Sequence, residues 1–263
     1  MLSVAGMNRY ERKPVPRYVS GPVRSQFGEL ARYYDSLNDG KDYRAEAERL
    51  ESLARRFGPP GRTSWLDVAC GTGRHLEFLR REHPVVGLDR SREMLQIARR
   101  RLPGVQLVLG DMRSFHLRRQ FNVVSCLFSA IGHLATPRDV KRTFTTFARH
   151  LTPGGIAIVE PWLDPSVVRE GMIHLRVHES PELSVVRCAF STRRQNHTII
   201  RYEYLVGEAG VGIRRYRVTD IGLLMSRTEL LETMQSAGLA PRFIEKGLTQ
   251  GRGLLLGIKP NGG

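Results

Sequence analysis

From Trp65 to Glu160 the apolar residues fall in short runs separated by stretches of helical spacing. Trp65-Leu66-Asp67-Val68-Ala69, Val85-Val86-Gly87-Leu88-Asp89, Val105 to Leu109, Phe121 to Phe128 and Ile156 to Glu160 predict five strands. Ser91 is placed to cap a helix whose Met94, Leu95, Ala98 and Leu102 share one face. Thr136-Pro137-Arg138-Asp139 reads as a capping box with proline at the first helical position. Phe144, Phe147, Ala148 and Leu151 carry that helix inward, and Gly154-Gly155 is expected to stop it. Leu30 to Phe57 is expected to be helical, with Ala45, Ala47, Leu50, Leu53, Ala54 and Phe57 on its apolar face and Gly58-Pro59-Pro60-Gly61 at its end. Repeated strand–helix units predict an α/β fold: a Rossmann-like, doubly wound, mainly parallel sheet with helices on both faces.

The pattern changes after Pro161. Residues 174–224 hold runs such as Ser184 to Phe190 and Thr198 to Val206, rich in β-branched and aromatic residues and without helical spacing. They predict an antiparallel β insertion over 161–224. The core pattern returns with the capping box Ser226-Arg227-Thr228-Glu229, a helix to Gly238, and two closing strands near Arg242–Glu245 and Gly253–Ile258. The expected core is therefore 26–160 with 225–263. Residues 1–25, with three prolines and several arginines, are expected to form a loose basic arm.

Composition narrows this picture only a little. Of 263 residues, 41% are hydrophobic and 25% charged, which suits one globular core. No apolar run reaches the roughly 20 residues that span a bilayer, and no apolar stretch follows the basic N-terminal residues, so a cytoplasmic protein without membrane contact is expected. Cys70, Cys126 and Cys188 are far apart and are expected to be reduced, buried thiols rather than a disulfide or metal site. The net charge of +15 is scattered in arginine pairs, with no basic tract interleaved with aromatics, so no nucleic-acid partner is expected.

The chemistry begins at Asp67-Val68-Ala69-Cys70-Gly71-Thr72-Gly73, at the end of a strand and the start of a helix. Ala69, Gly71 and Gly73 allow a tight bend that a ligand can approach, and the amides at the helix start favour a carboxylate. Asp89 ends the second strand, where an acid can hold two ribose hydroxyls. Asp111 follows the third strand and can accept from an adenine amino group, with Met112 packing on the ring. Phe128-Ser129 ends the fourth strand beside the switch point of the sheet. A nicotinamide-dependent oxidoreductase would want glycine or alanine where Leu76 stands. The blocks from Leu66 to Glu160 resemble class I methyltransferases, which implies S-adenosylmethionine as the cofactor and S-adenosylhomocysteine as its product.

Narrower blocks lie around this motif. Tyr34-Asp35, Gly40-Lys41-Asp42-Tyr43, Met94 to Arg101, Phe128 to Leu134, Val159-Glu160-Pro161-Trp162 and Gly251-Arg252-Gly253-Leu254 together resemble the N-methyltransferases of nucleotide-linked amino sugars, over roughly residues 28–258. Those enzymes make dimethylamino sugars for antibiotics. The resemblance implies a dTDP-linked aminodideoxyhexose as substrate and a homodimer built through the β insertion. It implies cofactor contacts from Tyr34, Tyr43, Met94 and Phe128. It places His133 near the amine as the catalytic residue, and Phe27, Ser129, Trp162 and Arg252 on the substrate side, with Arg252 reaching the diphosphate. Where relatives carry a tyrosine shortly before the Gly-Glu matched by Gly28-Glu29, this chain has Gln26 and Phe27. Thr219-Asp220-Ile221-Gly222-Leu223-Leu224 also departs from the pattern, which leaves open an O- or N-methyltransferase of another small metabolite. A nucleic-acid methylase is disfavoured, because Phe128-Ser129-Ala130-Ile131 lacks the Asn/Asp-Pro-Pro-Phe/Tyr element.

Overall fold

The computed structural model describes residues 26–61, 63–249 and 251–261. The expected basic arm, 1–25, lies outside them. Seven strands form the main sheet: β1 (Trp65–Val68), β2 (Val85–Asp89), β3 (Gln106–Leu109), β4 (Phe121–Cys126), β5 (Leu151–Val159), β10 (Ala240–Ile244) and β11 (Leu254–Ile258). Their order is β10-β11-β5-β4-β1-β2-β3, parallel except for β11, which runs antiparallel to both neighbours. The chain leaves β1 toward β2 and β3 on one side and returns to β4 on the other. The ends of β1 and β4 therefore part, and open α/β sheets bind ligands at such a gap.

Two buried layers cover the sheet. One face packs Leu66, Val124, Phe144, Phe147 and Val159 with Met234 of α5 (Arg227–Ser236). The other packs Trp65, Val123, Ile156 and Leu254 with Leu50 and Leu53 of α1 (Tyr43–Phe57). Helices α2 (Arg74–Leu79), α3 (Arg92–Arg101) and α4 (Pro137–His150) complete the layers. The expected caps form: Ser91, Thr136 and Ser226 accept from the amides of Met94, Asp139 and Glu229. Leu76 packs with Cys70, Leu95 and Leu102, and a Cβ on Gly87 would come within 2.8 Å of it. The bulk added on α2 is thus offset by a missing side chain on β2.

Three expectations need correction. The stretch from Leu30 is not one helix: two 3-10 turns, Ala31–Tyr33 and Ser36–Asn38, precede α1. Asp42 caps α1 through the Ala45 amide, so the helix starts after it. Gly154-Gly155 does not stop α4, which ends at His150; the glycines lie inside β5, where the register shifts between Phe121 and Val123. Gly154 has φ +71°, so the pair absorbs a strand irregularity. Cys70 and Cys126 are buried thiols as expected, but Cys188 is exposed. It sits on the outer face of the second sheet.

That sheet is an antiparallel meander of β6 (Met172–Glu179), β7 (Leu183–Arg194), β8 (His197–Glu208) and β9 (Gly212–Leu223). Its inner face buries Val185, Ala189, Tyr204, Val206 and Val218 against Leu30, Tyr33 and Leu37. The segment from Gln26 to Asn38 is thereby held between the second sheet and α3. The outer face leaves Ile173, Leu175, Val177, Phe190, Leu205, Ile213 and Ile221 exposed.

Candidate active site

A cavity of about 400 Å³ opens at the parted strand ends and runs beneath the second sheet. Ala69 and Gly71 after β1, Asp89 and Arg90 at the end of β2, and Gly110 to Arg113 after β3 wall its first half. Phe128 follows β4, and Met94 enters from α3. The second half is walled by Phe27, His133, Trp162 and Arg252, joined by Arg176, Arg187, Tyr202 and Asp220 from the insertion sheet.

The first half is shaped by turns that ordinary residues avoid. Ala69 has φ 59°, and Phe128 and Ser129 have φ 52° and 58°. Strain of this kind persists only where surrounding contacts hold it. Here Phe128 is held through its amide, which donates to Glu160 Oε2 at 2.6 Å, and Ser129 through its hydroxyl, which donates to the Pro161 carbonyl at 2.6 Å. Glu160 is fully buried. The Glu-Pro-Trp block therefore clamps the turn after β4.

Asp89 faces the bend. Its Oδ2 accepts from the Gly71 amide and its Oδ1 from the Ser91 amide, each at 2.8 Å. Each oxygen keeps acceptor capacity toward the cavity. Burial pushes its carboxyl above the ordinary value, against the pull of those amides. A Cβ on Gly71 would meet nothing within 4 Å, so the cradle is open on the cavity side. Asp111 lines the cavity but is gripped by Arg113, whose guanidinium holds its carboxyl below the ordinary range. Met112 and Phe128 add apolar surface to the same cavity. An open bend, an acid able to take two hydroxyls and an apolar slot fit an adenosine bearing a sulfonium.

Three expected residues do not line the cavity. Gly73 has φ +80°, and a Cβ there would lie 2.5 Å from Leu102 Cδ1, so it serves the approach of α2 to α3. Tyr43 packs edge-on against His75 behind the cofactor loop. Ser129 is fully buried, between the Pro161 carbonyl and the Arg252 guanidinium. It therefore supports Arg252. Tyr34 lines the cavity between Phe27 and Phe128, and burial pushes its phenol well up. Its neighbour Asp35 accepts from Thr72 Oγ1 and Arg101 Nη2, both at 2.7 Å.

The second half has its own seat. A Cβ on Gly132 would lie 2.7 Å from Trp162, and one on Gly222 2.5 Å. The indole is thus flanked by two glycines, and its Nε1 donates to Thr198 Oγ1 at 3.1 Å. Arg252 stands over the same indole, 5.7 Å from the ring centroid.

The chain as a whole matches known proteins. Residues 66–155 match the methyltransferase domain family. The chain is 39% identical to the dTDP-3-amino-3,6-dideoxy-alpha-D-glucopyranose N,N-dimethyltransferase of Streptomyces fradiae, over 91% of this chain and 94% of that protein. It is 38% identical to the dTDP-3-amino-3,4,6-trideoxy-alpha-D-glucopyranose N,N-dimethyltransferase of Streptomyces venezuelae, over 84% and 93%.

The chain belongs to the amino-sugar N-methyltransferase family of S-adenosylmethionine-dependent enzymes.

Solved structures agree. The methyltransferase superposes on Streptomyces venezuelae DesVI with a TM-score of 0.82 at 38% identity, covering 88% of this chain and 98% of that one. It superposes on S-adenosylmethionine-bound CalS10, an amino pentose methyltransferase from Micromonospora echinaspora, with a TM-score of 0.78 at 32% identity, covering 92% and 100%. Its cofactor is S-adenosylmethionine. No helix among the described residues is long and apolar enough to cross a membrane.

Sequence reasoning missed Gln26, Arg176, Arg187, Tyr202 and Asp220 of this methyltransferase. Four come from the second sheet, where strand alternation marks an inner face but not what that face covers. Gln26 stands beside the expected Phe27 and in the sequence marks only a departure from the relatives; its place in the site comes from its bond to Asp220, at 2.8 Å.

Proposed function

We propose that this methyltransferase methylates the amino group of a dTDP-linked aminodideoxyhexose. The observation that carries this is the continuity of the cavity: a cofactor half at the strand ends opens directly into a second half bearing His133, Trp162 and Arg252. The relatives that match most of the chain are named for dTDP-linked amino deoxysugars, one of them a 3-amino-3,6-dideoxyhexose.

The cofactor supplies a methyl group already activated on sulfur. Asp89 takes the ribose hydroxyls, and Met112 and Phe128 enclose the adenine. The protein then has to align a neutral amine with the methyl group, and alignment alone is worth roughly 7–11 kcal/mol. His133 is the group that accepts the amine proton. Arg252, braced by Ser129 and standing over Trp162, pairs with the diphosphate through its planar fork.

The second sheet then has two roles, one on each face. Its inner face forms the substrate wall. Its outer face, with Ile173 68% and Leu175 64% exposed, forms the contact of a homodimer. Free thiols at all three cysteines suit the cytoplasm as the working compartment.

The deciding experiment is incubation with S-adenosylmethionine and a panel of dTDP-amino sugars. Gain of one or two methyl masses on a nucleotide sugar supports the assignment. Reaction only with acceptors lacking a nucleotide refutes it.

A further inference from the structure

Asp220 projects from β9 into the cavity wall, on the inward face it shares with Val218 and Gly222. Its two carboxylate oxygens have separate partners. Oδ1 lies 3.1 Å from His133 Nδ1, and Oδ2 accepts from Gln26 Nε2 at 2.8 Å. Gln26 is itself buried, with its Oε1 3.5 Å from the hydroxyl of the buried Tyr204. The carboxylate is therefore held from behind by groups anchored in the fold. The imidazole is held as well: the Phe27 ring meets it edge-on with centroids 5.1 Å apart, and the Trp162 ring lies 5.7 Å away. The side chains of His133 and Asp220 are only 20% and 13% exposed, so water screens their contact weakly.

We propose that Asp220 is a positioning residue for methyl transfer, holding His133 in the tautomer whose Nε2 is free to take the proton that the amine gives up. The proposal rests on the amine-acceptor reading above. An ionised carboxylate only accepts, so the nitrogen facing it carries the hydrogen, and a neutral imidazole then has its lone pair on the other nitrogen. The His133 ring lines the cavity. The step balances simply. The amine lone pair forms the new N–C bond, the C–S bond breaks with its electrons going to sulfur, and the ammonium proton passes to Nε2. Asp220 then faces an imidazolium and offsets its charge until the proton leaves to solvent. The same geometry serves each round of methylation, because each needs one proton removed.

Two measurements test this. In the first, Asp220→Asn, His133→Ala and the double variant are assayed with S-adenosylmethionine and an accepted amino sugar. Asp220→Asn is expected to lower kcat about 10- to 100-fold with KM for the cofactor unchanged, and the double variant to be no slower than His133→Ala alone. Unchanged kcat in Asp220→Asn, or additive losses in the double variant, overturns the proposal. The second needs no acceptor. Nitrogen NMR of histidine-labelled protein with S-adenosylhomocysteine bound, with the His133 signal found by its loss in His133→Ala, reads the tautomer directly. The proposal expects the hydrogen on Nδ1, and partial transfer to Nε2 in Asp220→Asn. An Nε2–H tautomer in the unaltered protein overturns it. A protein that methylates no amino sugar but shows the expected tautomer refutes the substrate assignment and leaves the Asp220–His133 relationship standing.

Discussion

Asp35 Oδ2 accepts from Arg101 Nη2 at 2.7 Å, and this pair fastens the Tyr34 segment to the back of the cofactor loop. The other Asp35 oxygen accepts from Thr72, and Arg101 also donates to the Thr72 carbonyl. Three pieces of chain, from the N-terminal turns, the glycine bend and α3, thus meet at one carboxylate.

Loss of that carboxylate should loosen the cover over the cofactor without removing any group that touches it. Asp35→Ala is expected to weaken S-adenosylhomocysteine binding by about tenfold, or about 1.4 kcal/mol. Isothermal calorimetry reads this directly. Affinity within twofold of the unaltered protein would show that the Tyr34 segment holds its place without the pair.

Arg252 has a different task. Arg252→Ala is expected to raise the acceptor KM by about 10- to 100-fold while the cofactor KM stays within twofold, because a charge-assisted contact to the diphosphate contributes about 1.5–3 kcal/mol. Arg252→Lys should recover only part of the loss, since an ammonium lacks the planar fork. Steady-state kinetics with each substrate varied in turn separates the two effects.

Gly222 tests the seat of Trp162. A methyl group at Gly222 would stand 2.5 Å from the indole and 2.7 Å from Thr198 Oγ1. Gly222→Ala must push the ring out of its slot, and overpacking of this kind costs about 1–3 kcal/mol. The expected result is a lower thermal midpoint, a weaker acceptor KM and unchanged cofactor binding.

Asp67 should write a pH dependence into stability. It is buried beneath the cofactor bend, accepts from Ser125 Oγ at 2.7 Å, and has its carboxyl pushed up to about 6 by burial. Its folded value lies above its ordinary value of 3.8, so the folded state binds the proton more tightly than the unfolded chain. The stabilising contribution is therefore complete below about pH 4 and is lost as pH rises through about 6, a change of up to about 3 kcal/mol. Asp67→Asn, whose amide oxygen can still accept from Ser125, is expected to gain stability over the unaltered protein on going from pH 4.5 to 7.5. Urea unfolding at the two pH values checks this, and an equal difference at both would rule the linkage out.

Much of the fold was legible because its signals are local. The five core strands, the three side-chain caps at Ser91, Thr136 and Ser226, and the β character of the insertion follow from periodicity and capping chemistry within a few residues. The errors were local signals overruled at a distance. Gly154-Gly155 looks like a helix stop, but pairing with β4 draws it into β5. Leu30 to Phe57 looks like one helix, but Asp35 is drawn to Thr72 and Arg101, and the chain breaks into turns before Asp42 caps α1.

The site divides along the same line. The bend at Ala69 to Gly73 and the acid at Asp89 were decided by the sequence, because a strand, a tight turn and a helix start in one stretch leave the backbone few alternatives, and Asp89 ends the strand next door. The tertiary structure decided that Ser129 braces Arg252, that Gly73 serves packing, and that Asp220 reaches His133. Those side chains belong to segments far apart in the chain. Which of them meet depends on how a second sheet lies over the first, and that is set by the sum of many buried contacts rather than by any short run of residues.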